Sequence, residues 1–227
     1  MQRDATTSNM EPMTAFDEDW DDDDDDEEDF YDLDEGDFDP DAEFLSGRLL
    51  IAMPGIEDPR FEQALVLVCA HTPEHAMGIT LNRPLEGVTV PDLLDRLGVK
   101  TSIELPEQLV LAGGPVERER GFVLHTDDFR APDSTVPVAD GISLTATRDV
   151  LQAMGDPALR PERSTLALGY AGWGPGQLER EIRENVWLTC DVDPSLIFDE
   201  DYAEKWGRAL AKLGVSAATL SSQSGSA

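Results

Sequence analysis

Eight short apolar runs between residues 48 and 192 constrain the fold of this chain more than any other feature of its sequence. They are rich in valine, isoleucine and leucine and bounded by glycine or proline, a pattern typical of β-strands. Several are apolar at consecutive positions, which predicts strands that are covered on both faces. The runs are RLLIAMP, ALVLVCAH, MGITLN, QLVLAGG, GFVLHTD, GISLTA, STLALGYA and NVWLTCDV.

Helical patterns are fewer and do not alternate regularly with the strand candidates. Pro91 suits the first turn of one predicted helix and Gly98 its end, while Thr147 and Gly155 bound another. The predicted helices are 89–98, 147–154, 177–186 and about 200–213, the last beginning after Asp199. This pattern predicts an α+β fold, a single compact domain over residues 44–215 with a β-rich core (a mixed sheet or barrel-like) packed by a few helices.

Residues 1–43 differ from the rest of the chain in composition, because they hold 21 aspartates and glutamates against one arginine. Such a segment buries too little apolar surface to offset the entropy of ordering it, which predicts a disordered acidic tail. We favour a solubilising role, although aromatic residues among the acids leave a short binding segment open as the alternative. These residues are Trp20, Phe30, Tyr31 and Phe38. The polar residues 216–227 predict a flexible C-terminus.

The sequence also bears on where the protein works. It has no stretch of the roughly 18 apolar residues that a membrane span needs, and no basic-plus-apolar signal at its start. We therefore expect a cytoplasmic protein that does not enter a membrane. Cys69 and Cys190 lie in apolar strand-like runs, which predicts two buried thiols rather than a disulfide or a redox pair.

The glycine-rich stretch GYAGWGPGQLEREI, residues 169–182, joins a predicted strand to a predicted helix. One interpretation is a dinucleotide-binding turn, since strand, glycines and helix precede Asp191 at about the length of a βαβ unit. Two residues oppose it. Gln177 stands where the third glycine is needed, and Pro175 lacks an N–H for phosphate.

We favour a structural role for this stretch. Gly172 and Gly174 would supply positive φ or close packing around Trp173, and Pro175 and Gly176 would start the helix. On this interpretation Trp173 is mostly buried, because a large ring under tightly packed backbone needs glycine on both sides.

Common catalytic motifs are missing from the sequence: the Gly-x-Ser-x-Gly elbow, the Gly-x4-Gly-Lys-Ser/Thr loop and the His-Glu-x-x-His helix. Cys69, His71 and His75 would be a metal site, but Pro73 interrupts them and a fourth ligand is not evident. We favour hydrogen-bonded or surface roles for these histidines and for His125. We therefore predict no catalytic residue, metal or cofactor.

A loop at the end of the strand MGIT is the best candidate for a small-ligand site. Arg83 would grip an anion there, next to Asn82 and assisted by the backbone N–H groups of Gly113 and Gly114. In the alternative that we favour, Arg83 pairs with one of the many acids and Asn82 closes a turn.

The charge of the chain argues against nucleic acid as a direct partner. A DNA-binding protein needs a basic face, because neutralising phosphates supplies most of its affinity. This chain has a formal net charge of −31, and no predicted helix clusters lysine and arginine.

Five segments together resemble the AlgH/YqgE family of bacterial proteins, in the family's order over about 46–214. They are GRLLIAMPGIEDPRFEQALVLVCAH (47–71), HAMGITLNRPL (75–85), AGGPV (112–116), GFVLHTDDF (121–129) and GYAGWGPGQLEREIRENVWL (169–188). The resemblance implies a compact α/β domain with a β-rich core, and it makes the glycine stretch a hallmark of the family. The family's name carries a role in the transcriptional regulation of alginate production, without an assigned reaction.

The resemblance leads to our first functional hypothesis, a non-enzymatic regulator of transcription that acts indirectly through a protein partner. The second hypothesis belongs to another class. It is an enzyme or sensor that binds a small anionic ligand or nucleotide near Arg83, Gly113 and Gly114.

Overall fold

The computed structural model describes residues 44–216 and residue 220. The predicted acidic tail (1–43) and, apart from residues 216 and 220, the predicted flexible C-terminus (216–227) lie outside the described residues. Within the described part, ten strands form a sheet that curls into a half-barrel, and five short α-helices accompany it. This confirms the α+β class.

The strands are β1 (Arg48–Ala52), β2 (Leu65–His71), β3 (Ala76–Thr80), β4 (Pro84–Thr89), β5 (Leu109–Ala112), β6 (Val116–Thr126), β7 (Thr135–Ala139), β8 (Ile142–Thr145), β9 (Ser164–Trp173) and β10 (Trp187–Asp191). Eight of them follow the antiparallel order β10-β1-β2-β3-β9-β6-β8-β7. β4 pairs with β5, which runs parallel to β9. β9 therefore joins the two parts of the sheet, because it pairs with β3 at its end and with β5 and β6 before that.

The apolar strands are covered on both faces, as their sequences predict. In β1, Leu49, Leu50, Ile51 and Ala52 are all 0% exposed, although successive side chains of a strand point to opposite faces. The two cysteines are buried free thiols, as expected. Burial raises the pKa of Cys69 to about 12, so its thiol stays protonated and unreactive at neutral pH.

The helices are α1 (Val90–Arg96), α2 (Arg148–Met154), α3 (Gln177–Arg183), α4 (Pro194–Phe198) and α5 (Lys205–Lys212). Pro91 lies in the first turn of α1, and Gly155 ends α2, as predicted. The last predicted helix is present as α5, but its predicted start after Asp199 is wrong, because it begins at Lys205. Asp199 has extended backbone between α4 and α5, because Asp193 caps the separate short helix α4 through the N–H of Ser195. No helix among the described residues is long and apolar enough to cross a membrane.

Two strands, β4 and β7, are absent from the sequence prediction. Each pairs with a single neighbour and carries exposed residues, such as Glu86 and Gly87 in β4 and Pro137 in β7. A strand at the margin of a sheet needs no continuous apolar run and tolerates proline. The apolar pattern that predicts the inner strands is therefore missing from these two.

Candidate functional site

A groove of about 870 Å³ lies beside the end of β9. One wall is the loop from Met53 to Phe61, and the opposite wall is α3 with the residues that lead into β10. Pro115 and Val116 border it as well, and Val116 is 37% exposed. The glycine stretch that the sequence singles out therefore forms part of a concave surface.

Two indole rings form the floor of this groove. Trp173 is 5% exposed and Trp187 is 2% exposed, which confirms the prediction that Trp173 is buried. Their ring centroids are 6.0 Å apart at an interplanar angle of 77°, an edge-to-face arrangement that aromatic pairs favour. Phe61 packs edge-on against Trp187, with 5.7 Å between centroids.

One carboxylate fixes both indoles. Glu181 Oε2 accepts hydrogen bonds from Trp173 Nε1 at 2.9 Å and from Trp187 Nε1 at 2.8 Å. Its other oxygen, Oε1, accepts from Gln177 Nε2 at 2.8 Å, and Gln177 Oε1 accepts from the N–H of Gly174 at 3.0 Å. Because both oxygens of Glu181 are engaged, this carboxylate orients the floor and is poorly placed to act as a proton acceptor.

The backbone around Trp173 differs from the sequence expectation. β9 continues through Gly172 to Trp173, paired with Met77 and Ala76 of β3. Neither Gly172 nor Gly174 has positive φ, so that expectation is wrong. Gly176 does, with φ 64° at the N-cap of α3, as a helix start at this glycine requires. β9 and β10 are not neighbours in the sheet, which excludes the βαβ unit of a dinucleotide site.

Close packing at Gly172 and Gly174 is also wrong. A Cβ on Gly174 would meet nothing nearer than Gln177 Oε1 at 3.9 Å. A Cβ on Gly172 would lie 3.3 Å from the ring of Tyr170, a partly exposed side chain that can move. Gly172 lines the groove, and the atoms nearest to its missing Cβ belong to the side chains of Tyr170 and Val116.

The glycines that do permit close packing are Gly113 and Gly114, which follow β5 and pack against the backbone of β9. A Cβ on Gly113 would lie 2.1 Å from the carbonyl oxygen of Gly169, and one on Gly114 would lie 2.0 Å from the carbonyl carbon of Tyr170. The N–H of Gly113 donates to the carbonyl of Leu168 at 2.8 Å. This N–H therefore serves the sheet.

The structure does bring Asn82 and Arg83 close to Gly113 and Gly114, since the N–H of Ala112 donates to the carbonyl of Arg83 at 2.7 Å. Asn82 Oδ1 accepts from the N–H of Leu65 at 2.9 Å, and its Nδ2 donates to the carbonyl of Gln63 at 2.8 Å. Arg83 donates to the carbonyl of Glu62. Both side chains therefore have structural contacts, although Arg83 bonds to a backbone carbonyl instead of an acid and Asn82 bonds to residues 63 and 65 instead of closing its own turn. Anion binding at these residues stays a prediction.

Two of the three histidines, His71 and His125, connect separate parts of the fold, and His75 contacts a residue of its own loop. His71 Nδ1 accepts from the N–H of Leu45 at 3.0 Å, which leaves Nε2 to donate to Glu179 Oε1 of α3 at 3.0 Å. His125 is 0% exposed and lies 2.8 Å from Thr145 Oγ1, and burial lowers its pKa. His75 lies 3.3 Å from the hydroxyl of Thr72.

Sequence reasoning missed most of the groove. The groove combines residues that are separated in the chain: Trp173, Glu181, Trp187 and the Met53–Phe61 loop. No spacing rule predicts that a carboxylate bonds to indoles six and eight residues away. The hint was composition. Trp173, Glu181 and Trp187 all occur within one short stretch, GWGPGQLEREIRENVW.

Comparison with known proteins gives consistent results. The sequence profile of the AlgH-like family matches residues 49–218. A UPF0301 protein of Caulobacter vibrioides (strain NA1000 / CB15N) is 65% identical over 83% of this chain and 97% of its own length. One of Nitrobacter hamburgensis is 51% identical over 83% of this chain and 90% of its own length.

Two solved structures share the fold. The solution structure of the AlgH protein from Pseudomonas aeruginosa has a TM-score of 0.64 and 37% identity, covering 82% of this chain and 97% of that one. A crystal structure of protein DIP2367 from Corynebacterium diphtheriae has a TM-score of 0.59 at 20% identity, covering 74% of this chain and 86% of that one. The second likeness concerns the fold alone.

Proposed function

Since this chain belongs to the AlgH-like family, we propose that it is a non-enzymatic binding protein that regulates transcription indirectly, through a protein partner held in the groove. The proposed role in regulating transcription rests on the family resemblance alone. The names of the relatives above state no reaction or ligand. The cytoplasmic location stays a prediction.

The fixed aromatic floor is the observation that carries the proposal. The two indoles are only 5% and 2% exposed, so they fix the shape of the groove, and a partner contacts the more exposed residues around them. Here Glu181 holds Trp173 and Trp187 in one orientation before any partner arrives. Binding to such a surface loses little side-chain entropy, and partly buried apolar residues such as Ile56 and Phe61 extend it.

The charges around the groove indicate what kind of segment fits. Four carboxylates and two guanidiniums line it, and one of the guanidiniums, on Arg60, is bound to Asp58 at 2.6 Å. A segment with basic residues beside an apolar anchor complements this lining. The same negative charge, together with the −31 of the whole chain, opposes contact with a DNA backbone.

Two glycine variants test the proposal. Gly172→Val places two methyl groups at the groove wall without requiring positive φ. The methyl of Gly174→Ala would have only an ordinary contact, with Gln177 Oε1 at 3.9 Å, and Gly174 does not line the groove. Affinity capture from lysate with the full chain, followed by calorimetry with the purified partner, compares both variants with wild type. We expect Gly172→Val to lose the partner and Gly174→Ala to keep it. Equal affinity of all three proteins would rule out the groove as the binding site.

A further inference from the structure

A second cavity, of about 180 Å³, lies where β5 and β9 begin. These strands are parallel, with Leu111 opposite Ala167. Gln108, the residue before β5, and Ser164, the first residue of β9, both line the cavity. None of the residues that line this cavity also lines the groove beside Trp173.

Gln108 is the unusual residue of this cavity. It is only 9% exposed, and its backbone is engaged, since its carbonyl accepts from the N–H of Val90 and its N–H donates to the carbonyl of Pro106. Its side-chain amide, in contrast, has no hydrogen-bond partner among the described residues. Gln108 is not among the described residues with a fully buried, unpartnered polar atom, so its amide is open to the cavity that it lines and is available to a ligand.

Two guanidinium groups lie in the same lining, on Arg160 and Arg163. The Arg163 guanidinium carbon lies 4.9 Å from the ring centroid of Phe198, which orients its plane. Within residues 44–216 and residue 220, neither guanidinium forms an ion pair or a side-chain hydrogen bond. Their N–H groups are therefore available. Both arginines are exposed, as are Glu162 and Glu200, the two carboxylates of the lining.

The rest of the wall is apolar, with Val90, Leu105 and Met154. We infer that this cavity binds a small carboxylate that carries a short apolar group. Arg163 supplies the planar, two-pronged donor that matches a carboxylate, and Gln108 adds a third N–H. The apolar group contacts Val90 and Met154. This site lies apart from Arg83 and does not depend on the proposed function of the groove.

The test uses the full chain and three probes with four carbons each: butyrate, its neutral amide butyramide, and the cation butylammonium. Titration at constant ionic strength is followed by two-dimensional ¹H–¹⁵N NMR, including the Gln108 side-chain amide. We expect saturable shifts with butyrate at residues 105–108 and 160–164. Butyramide should bind more weakly and butylammonium should leave these signals unchanged.

Matched variants complete the test. Arg163→Gln and Gln108→Leu should each raise the Kd for butyrate by about tenfold, the effect of losing one charge-assisted or buried hydrogen bond. Arg130→Gln, which changes an exposed arginine elsewhere, should leave the Kd unchanged. The inference is overturned if butyrate gives no saturable shift at these residues, if butyramide binds equally well, or if Arg163→Gln and Arg130→Gln have the same Kd.

Discussion

Two pairs of glycines, Gly113–Gly114 and Gly172–Gly174, look similar in the sequence and serve opposite purposes in the structure. At the first pair, backbone from β9 lies where any side chain would be. At the second pair, the atoms nearest to an added Cβ are side-chain atoms at 3.3 and 3.9 Å, and Gly172 lines the groove. A cluster of glycines therefore shows that side chains are absent, but it does not show whether backbone or an open binding surface takes their place.

The most severe test of this comparison is Gly114→Ala. The added methyl would lie 2.0 Å from the carbonyl carbon of Tyr170, so β5 or β9 must move. We expect a loss of about 4 kcal/mol or more in the free energy of unfolding, beyond ordinary overpacking. Urea denaturation followed by far-UV circular dichroism measures it, with Gly174→Ala as control. A loss below about 1 kcal/mol would show that Gly114 is not tightly packed against β9.

Trp173→Ala tests whether the groove floor is also part of the core. Removing a buried indole should lower the free energy of unfolding by about 3–5 kcal/mol, the range for deleting a buried aromatic residue. The same denaturation experiment applies. An effect as small as that of a surface substitution would mean that the ring does not pack as the structure shows.

Glu181→Leu removes the carboxylate and leaves two buried indole N–H groups without acceptors. Each such group destabilises by about 1–3 kcal/mol, so we expect a total loss of about 2–6 kcal/mol. Glu184→Leu, an exposed position on the same side of the groove, is the matched control. If both variants unfold at the same urea concentration, Glu181 does not hold the floor.

Acid should weaken the part of the sheet that contains His125. Burial lowers the pKa of this imidazole below its usual 6.5, against the opposing charges of Asp127 and Asp128. The unfolded chain therefore binds a proton at a higher pH than the folded chain. The stability from a neutral His125 is present above pH 6.5 and is lost as pH falls through the folded pKa.

This expectation is checked by measuring the free energy of unfolding of wild type and of His125→Gln as the pH is lowered from above 6.5. The variant should lose less stability on acidification than wild type does. His75→Gln, at a partly exposed position, should follow wild type. A variant as acid-sensitive as wild type would remove His125 from the explanation.

The smallest effect on stability is expected for Gly172→Val, within about 1 kcal/mol of wild type. The backbone there is an ordinary strand, and the new side chain enters the groove. A loss as large as that of Gly114→Ala would erase the distinction between the two glycine pairs and restore close packing around Trp173.

Local patterns predict the parts of this fold that obey local rules. Consecutive apolar residues identified β1 and β2, and Pro91 with Gly98 identified α1. β4 and β7 were not predicted, because exposed strands at the margin of a sheet carry no apolar run. The groove escaped for a different reason. Glu181 reaches two indoles through tertiary contacts, and the burial of Trp173 was predicted correctly from a wrong premise about its flanking glycines.

The shared acceptor also makes the groove an optical reporter. Trp173 and Trp187 are two of the four tryptophans in the chain, and their indole N–H groups converge on one oxygen. Any occupant that displaces Glu181 changes the electrostatic surroundings of both chromophores at once. Their near-ultraviolet circular dichroism and emission should then shift together, so that occupancy can be read without a label.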